Sequence, residues 1–246
     1  MINEPVIKLG PSFDTKNLRA TFQKKKRLHI PNILAHDSAD LIYKSLSEDV
    51  DWHLIFNEGE KVHLLYPEQV KALTEAHHQQ LKDLVYSKAQ HQFQYYYYVY
   101  NIYDYYLGGK NMDHFLHRFH EFINTPEFLE FIQEISGMEN IRFADSRATA
   151  YGPGHFLTLH HDNVQGERRF LAYVFNFTPE WNPIWGGALQ FLGLGGHIEE
   201  GFVPNFNSLN IFEIPQDHAV SYVTPMALKT RYSINGWLRG ADNPAT

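Results

Sequence analysis

The side chains best placed to do chemistry lie at the end of one short run, Ala150-Tyr151-Gly152-Pro153-Gly154-His155-Phe156-Leu157-Thr158-Leu159-His160-His161-Asp162. A Gly-Pro-Gly turn leads into apolar residues of strand character, and alternation along a strand sends His160 and Asp162 to one face and His161 to the other. An imidazole and a carboxylate on one face are half of a metal site. A third ligand is available downstream as His218, in Pro215-Gln216-Asp217-His218-Ala219-Val220. Two imidazoles and one carboxylate grip a divalent cation from one side and leave the other positions open, the facial set of non-haem Fe(II) centres. Zinc also takes three protein ligands, so ligand identity alone does not choose the metal. With 15 histidines in the chain, a lone His-x-Asp is weak, and a surface pair plus an unrelated histidine is the plain alternative. His197, in Gly195-Gly196-His197, is the rival distal ligand, but a glycine loop positions a ligand poorly.

Sheet elements must bring these residues together. From Ile141 onward the chain is a series of short β-rich runs: Arg142 to Tyr151, His155 to Asp162, Arg169 to Phe177, Gly187 to Phe191, Ser208 to Glu213, Ala219 to Tyr222 and Arg231 to Leu238. Such spacing predicts a sandwich or jelly roll. Helices are expected before it. Asp37 to Leu46 has an N-cap at Asp37 or Ser38, one longer helix opens at Pro67 and runs to about Tyr86, and two more cover Asn111 to Phe122 and Pro126 to Ile135, the last closed by Gly137. Leu28 to Leu34 reads as a strand after a solvated basic run, Lys24 to Arg27. The aromatic tract from Gln92 to Tyr106 reads as a strand whose rings cover the barrel or line a groove. The expected fold is α+β, with residues 1–140 as a helical and strand support and 141–246 as the catalytic core.

The chain has 246 residues, enough for a substantial core, and its 20% charged and 15% aromatic content is that of a globular protein. A net charge of −7 argues against a nucleic-acid surface, and the absence of cysteine removes thiol catalysis and thiolate metal sites. Met1-Ile2-Asn3-Glu4-Pro5 lacks the basic start and apolar core of a signal peptide, and no run approaches a membrane span, so a cytoplasmic protein without membrane contact is expected.

Tyr151, Gly154, His160, Asp162, the string Trp185-Gly186-Gly187-Ala188-Leu189-Gln190-Phe191, His218 and the string Arg231-Tyr232-Ser233-Ile234-Asn235-Gly236-Trp237 together resemble the 2-oxoglutarate and Fe(II) dependent dioxygenases. Within them the chain is similar to the prolyl 4-hydroxylase superfamily, and most to the branch that hydroxylates a proline of a ribosomal protein. The resemblance spans roughly Ile141 to Leu238. It implies a double-stranded β-helix, Fe(II) held by His160, Asp162 and His218, 2-oxoglutarate and O2 as cosubstrates, and ascorbate as an accessory reductant. It further implies hydroxylation of a prolyl residue of a protein, or of a related small substrate, as 2-oxoglutarate is decarboxylated to succinate and CO2. Arg231 is the expected anchor for the distal carboxylate of 2-oxoglutarate, because a guanidinium fork matches a carboxylate where lysine would not. Ser233, two residues along the same strand face, and Tyr151 are expected to assist, and Lys229 is the substitute cation.

Two features depart from the collagen-type members: Leu157 stands where those relatives often carry a tyrosine, and the cationic anchor lies further from His218 than their lysine. The glycines of Trp185-Gly186-Gly187 are expected to serve a tight strand start, and Asn163 to Arg169 to form a loop over the site. Two other readings stand beside this one. The same fold could serve as a cupin-like isomerase or hydrolase that uses the metal without cosubstrate, and a non-catalytic jelly-roll binding module would need no metal at all.

Overall fold

The computed structural model describes residues 6–164 and 166–240; Met1 to Pro5, read above for a leader, and Gln165 of the expected loop lie outside them. In chain order the elements are α1 (Thr15–Lys25), β1 (Arg27–Pro31), α2 (His36–Glu48), β2 (His53–Glu58), β3 (Lys61–Leu65), α3 (Pro67–Lys71), α4 (Glu75–Ala89), β4 (Tyr95–Tyr100), α5 (Ile102–Leu107), α6 (Leu116–Ile123) and α7 (Pro126–Ser136). There follow β5 (Phe143–Ala144), β6 (Arg147–Tyr151), β7 (Phe156–His160), β8 (Arg169–Asn176), β9 (Leu189–Leu192), β10 (Ile198–Phe202), β11 (Ser208–Glu213), β12 (His218–Val220) and β13 (Arg231–Arg239). The strands pair antiparallel in the order β1-β11-β8-β13-β6-β4-β7-β12-β9-β10, with the β2-β3 hairpin on β4. This is a jelly-roll double-stranded β-helix backed by helices.

Alternation along β8 and β13 sorts their side chains between two cores. Tyr173, Phe175, Ile234 and Leu238 face outward into a large core with Phe119, Phe122, Phe128, Ile132 and Ile135 of α6 and α7. Phe119 meets Phe175 edge-on at 5.1 Å with no exposed surface, and truncating such a ring costs about 3–5 kcal/mol. The opposite faces of the same strands, with Ala172, Val174, Arg231, Asn235 and Trp237, line the barrel interior. Helices cover one face of the sheet so that the other can carry polar groups.

Several elements differ from expectation. The helix from Pro67 is two helices, because Thr74 adopts an extended conformation and caps α4 by accepting from the His77 N–H. The aromatic tract is a strand only to Tyr100; Asn101 then turns the chain into α5, which Gly108 closes. The expected strand Arg142 to Tyr151 breaks into β5 and β6, and the helix at Asn111 begins only at Leu116. Helix α1 escaped the periodicity reading because only Phe22 of it is buried. The basic run is solvent-exposed at Lys24 to Lys26, as expected, and pairs with acids across the surface: Lys25 with Glu200 at 2.8 Å, Lys26 with Glu213 at 3.0 Å, and the half-buried Arg27 with Glu199 and Glu200.

Candidate metal and cosubstrate site

Strands β7 and β12 run antiparallel with His160 directly opposite His218, so the two imidazoles start from paired positions and their ring centroids lie 4.1 Å apart. Each ring is fixed through Nδ1. That of His160 donates to the Thr158 carbonyl (3.0 Å) and that of His218 to the Gln216 carbonyl (2.8 Å). A carbonyl only accepts, so Nδ1 carries the proton and Nε2 of the neutral ring is left with its lone pair. Both Nε2 atoms turn to one carboxylate, His160 at 3.5 Å from Asp162 Oδ1 and His218 at 3.3 Å from Oδ2. One ligand atom from each of the three lies within 4.8 Å of the others.

Asp162 arrives there by a route other than strand alternation. β7 ends at His160, and Asp162 has φ = 59°, a left-handed conformation that aspartate tolerates better than most residues. The reversal folds its carboxylate back over the end of the strand. His161 is exposed and its Nδ1 accepts from the Asn163 N–H.

The electrostatics favour a cation at the point of convergence. Burial, reinforced by His218, pushes His160 down to about 4, so its ring is neutral near pH 7. Burial alone would raise the Asp162 carboxyl, but in the metal-free protein a proton taken up on the facing nitrogen of His218 gives it a hydrogen bond and a charge that, with His160 and the Trp237 indole, hold it well below the usual range. Two lone pairs and a carboxylate aimed at one another repel unless a proton or a metal lies between them, and these nitrogen and oxygen donors suit a first-row divalent ion.

The cluster lies in a cavity of about 600 Å³. At its inner end stands Arg231, only 2% exposed. Its Nη2 makes one long contact to Asn176 Oδ1 (3.5 Å), its Nε has no hydrogen-bond partner, and its charge rests 5.1 Å from the ring centre of Tyr151. Burial lowers it to about 10. A buried guanidinium with no carboxylate beside it among the described residues costs several kcal/mol unless a ligand supplies one. Tyr151, opposite Arg231 in the β6-β13 register, is neutral, raised well above its ordinary value by burial and stacked on Tyr97 at 4.8 Å. Ser233 is fully buried with its hydroxyl 2.8 Å from that of Thr149.

Lys229 and His197 stand apart from this assembly. Lys229 pairs with Glu180 at 2.8 Å, and His197 is exposed on its loop. Gly186, with φ = +73°, passes so close to β12's continuation that an added Cβ would sit 2.0 Å from the Tyr222 carbonyl oxygen, while a Cβ on Gly187 would lie 3.3 Å from Cδ of Arg231. The Gly-Gly pair is thus a tight strand start whose second member borders the guanidinium.

Sequence reasoning passed over Trp237 and Arg147, although both signals were available. Counting by twos from Arg231 reaches Trp237 on the same face of β13, and counting by twos back from Tyr151 reaches Arg147 on β6. Trp237 hydrogen-bonds Asp162 through its indole, and the Arg169 guanidinium carbon lies 3.5 Å from the centre of its ring. Tyr95 and Tyr97 of the aromatic tract also line the cavity.

Residues 146–239 match the family model described as the 2OG-Fe(II) oxygenase superfamily. Prolyl 3-hydroxylase OGFOD1 of Xenopus laevis is 33% identical over 123 residues, which are 47% of this chain and 24% of that protein; the match thus spans about a quarter of the relative's length. Among solved structures, an oxidoreductase of the 2OG-Fe(II) oxygenase family from Burkholderia pseudomallei superposes with a TM-score of 0.61 at 11% identity, covering 95% of this chain and 97% of the other. A prolyl hydroxylase from Trichoplax adhaerens, in complex with a hypoxia inducible factor peptide fragment, gives 0.58 at 14% identity over 92% and 89%. At those identities the likeness is one of fold.

Proposed function

We propose, from the premise that the chain is a 2OG-Fe(II) oxygenase of the prolyl 4-hydroxylase superfamily, that it hydroxylates a prolyl residue of a protein, or a closely related small substrate, with 2-oxoglutarate as cosubstrate. His160, Asp162 and His218 would hold Fe(II). Arg231 would bind the distal carboxylate of 2-oxoglutarate, with Tyr151 and Ser233 beside it. When bound, the metal with 2-oxoglutarate and O2 supplies the oxidising power to place a hydroxyl on an unactivated carbon as the keto acid is converted to succinate and CO2.

The chain's own residues orient and exclude. The Thr158 and Gln216 carbonyls keep both Nε2 atoms free for the metal. Trp237 holds the Asp162 carboxylate in place. Tyr95, Tyr97 and Leu157 provide an apolar wall that keeps water from a reactive centre and strengthens every charge interaction within it. Activity on a protein is supported by the relative's name, a prolyl 3-hydroxylase, and by an aromatic-lined cavity of a size to admit a side chain.

One observation carries the reading: a fully buried Arg231, with no carboxylate partner among the described residues, in the cavity where three metal-ligand side chains converge. A metal enzyme that used no cosubstrate would leave that guanidinium without a counter-charge. The test is anaerobic titration of the protein with Fe(II), with and without 2-oxoglutarate. A visible charge-transfer band that needs both, and is lost in Arg231→Met, is the expected result. Metal binding with no response to 2-oxoglutarate would sink the proposal. Hydroxylation itself is read as the gain of one oxygen atom by a proline-containing peptide, matched by succinate.

A further inference from the structure

Three arginines line the cavity, Arg147, Arg169 and Arg231, with Arg239 close behind Trp237, and they are not equivalent. Arg169 is paired with Glu167 at 2.6 Å, and Arg239 with Asp145 and, at 3.1 Å, with Glu167. Arg231 is spoken for by the proposed cosubstrate. Arg147 is left, and no carboxylate among the described residues lies within ion-pair distance of it. It projects from β6 opposite Asn235 of β13, with its guanidinium carbon 4.3 Å from the centre of the Trp237 ring and with Tyr97 lining the same cavity. It stands four residues along β6 from Tyr151, the register partner of Arg231, so about 13 Å of strand separates it from the deep anchor.

Burial works against the charge of Arg147, and at neutral pH, where Tyr97 and Tyr151 are uncharged, the fields that offset it are those of Asp145 and Asp162. Neither of those fields is free in the working protein. Asp145 is committed to Arg239, and the charge of Asp162 would be spent on the metal. The loaded cavity therefore has a surplus positive charge on its wall, backed by an indole face, on a planar fork suited to a carboxylate.

We infer that Arg147 anchors a carboxylate of the prime substrate. The inference rests on the oxygenase reading and narrows its substrate class: the hydroxylated unit carries an acid, either as its own terminal carboxylate or as an Asp or Glu side chain next to the reacting residue. The guanidinium grips that acid while Trp237 backs it, and this fixes which carbon faces the metal.

The test uses the full chain loaded with Mn(II) and 2-oxoglutarate, so that no turnover occurs, and measures affinities by tryptophan fluorescence and calorimetry. The probes are acid and amide twins: N-acetyl-L-proline against N-acetyl-L-prolinamide, and acetyl-Glu-Pro-amide against acetyl-Gln-Pro-amide. At least one acid is expected to bind about tenfold or more tightly than its amide twin, and the pair that shows it identifies the source of the carboxylate. Arg147→Gln should abolish the preference and Arg147→Lys retain part of it, while both keep wild-type affinity for 2-oxoglutarate within about twofold. Equal binding of acids and amides by the wild type, or a preference that survives in Arg147→Gln, would overturn the inference. So would loss of 2-oxoglutarate affinity in Arg147→Gln, which would assign the residue to the cosubstrate. A wild type that bound no 2-oxoglutarate would instead refute the oxygenase reading itself.

Discussion

His160 and His218 occupy opposed positions of one antiparallel strand pair, each with Nδ1 tied to a carbonyl two residues earlier in its own strand or turn. The same local hydrogen bond, made twice, sets both rings to present Nε2 to Asp162. The expected outcome is a site formed before the metal arrives: His218→Ala and Asp162→Ala should each abolish stoichiometric Fe(II) binding in anaerobic dialysis while leaving the far-ultraviolet circular dichroism unchanged. Retention of one metal per chain in both variants would contradict the assignment.

Asp162 shows how much of this site could be read from the sequence. Its partnership with His160 was legible from a separation of two residues, but strand geometry is not what produces it. The strand ends at His160, and a positive φ at Asp162 does the work, which no periodicity can reveal. Arg231 was legible as a candidate because a guanidinium fork on a strand after the distal histidine matches a carboxylate, although a surface ion pair is the commoner use of such a residue. Its isolation from any carboxylate was not, since that depends on β8 and β6 closing around it. In the fold, the alternating apolar runs after Ile141 disclosed the barrel, whereas the β2-β3 hairpin was missed although Gly59, at φ = +62°, marks its turn. Helix α1 buries a single ring, and so small an apolar stripe is invisible to pattern reading.

Trp237 is expected to matter to the metal through its indole N–H. Trp237→Phe keeps an aromatic face for Arg169 and Arg147 but removes the donor that holds the Asp162 carboxylate. Loss of such an outer hydrogen bond typically weakens metal affinity about 10- to 100-fold. Competition with a chelator of known affinity measures it, and an unchanged constant would show that packing alone fixes Asp162.

Acid should destabilise the metal-free protein well above the carboxylate range. Burial pushes His155 down to about 4, and burial with the nearby His117 does the same to His120. An unfolded histidine titrates near 6.5, so between about pH 6.5 and 4 the unfolded chain binds protons that the folded chain refuses. Stability must therefore fall as the pH is lowered through that window, by at most about 1.4 kcal/mol per pH unit for each of the two groups. His155 and His120 together should contribute about 3–4 kcal/mol to the difference in urea unfolding between pH 7.5 and 5.0, with His160 adding to it, and His120→Asn should lower the difference by about 2 kcal/mol. A flat profile would mean that these rings are not buried as described.

Gly186 and Gly152 belong to neighbouring motifs yet should respond oppositely to alanine. At Gly186 an added Cβ meets the Tyr222 carbonyl oxygen at 2.0 Å in a left-handed backbone, so neither a side-chain shift nor a relaxed φ can absorb it. Gly186→Ala is expected to cost more than about 3 kcal/mol. Nothing lies within 4 Å of a Cβ on Gly152, and its alanine variant should stay within about 0.5 kcal/mol of the wild type. Denaturant midpoints of the two variants decide the matter; equal values would refute the packing described for the Gly-Gly strand start.

Arg231 sets function against stability in one side chain. In the ligand-free protein its guanidinium is buried with an unpartnered Nε and a single long hydrogen bond, an arrangement that an apolar side chain of similar length improves. Arg231→Met should therefore melt at the same temperature as the wild type or higher when 2-oxoglutarate is absent. With metal and a hundredfold excess of 2-oxoglutarate over its dissociation constant, the wild type should gain about 2.7 kcal/mol by mass action, and the variant nothing. Lysine keeps the charge but not the fork, so Arg231→Lys should recover only part of the ligand-induced gain. The crossing of the two melting curves on ligand addition is the signature to look for, because a purely structural arginine would lower stability in both conditions alike.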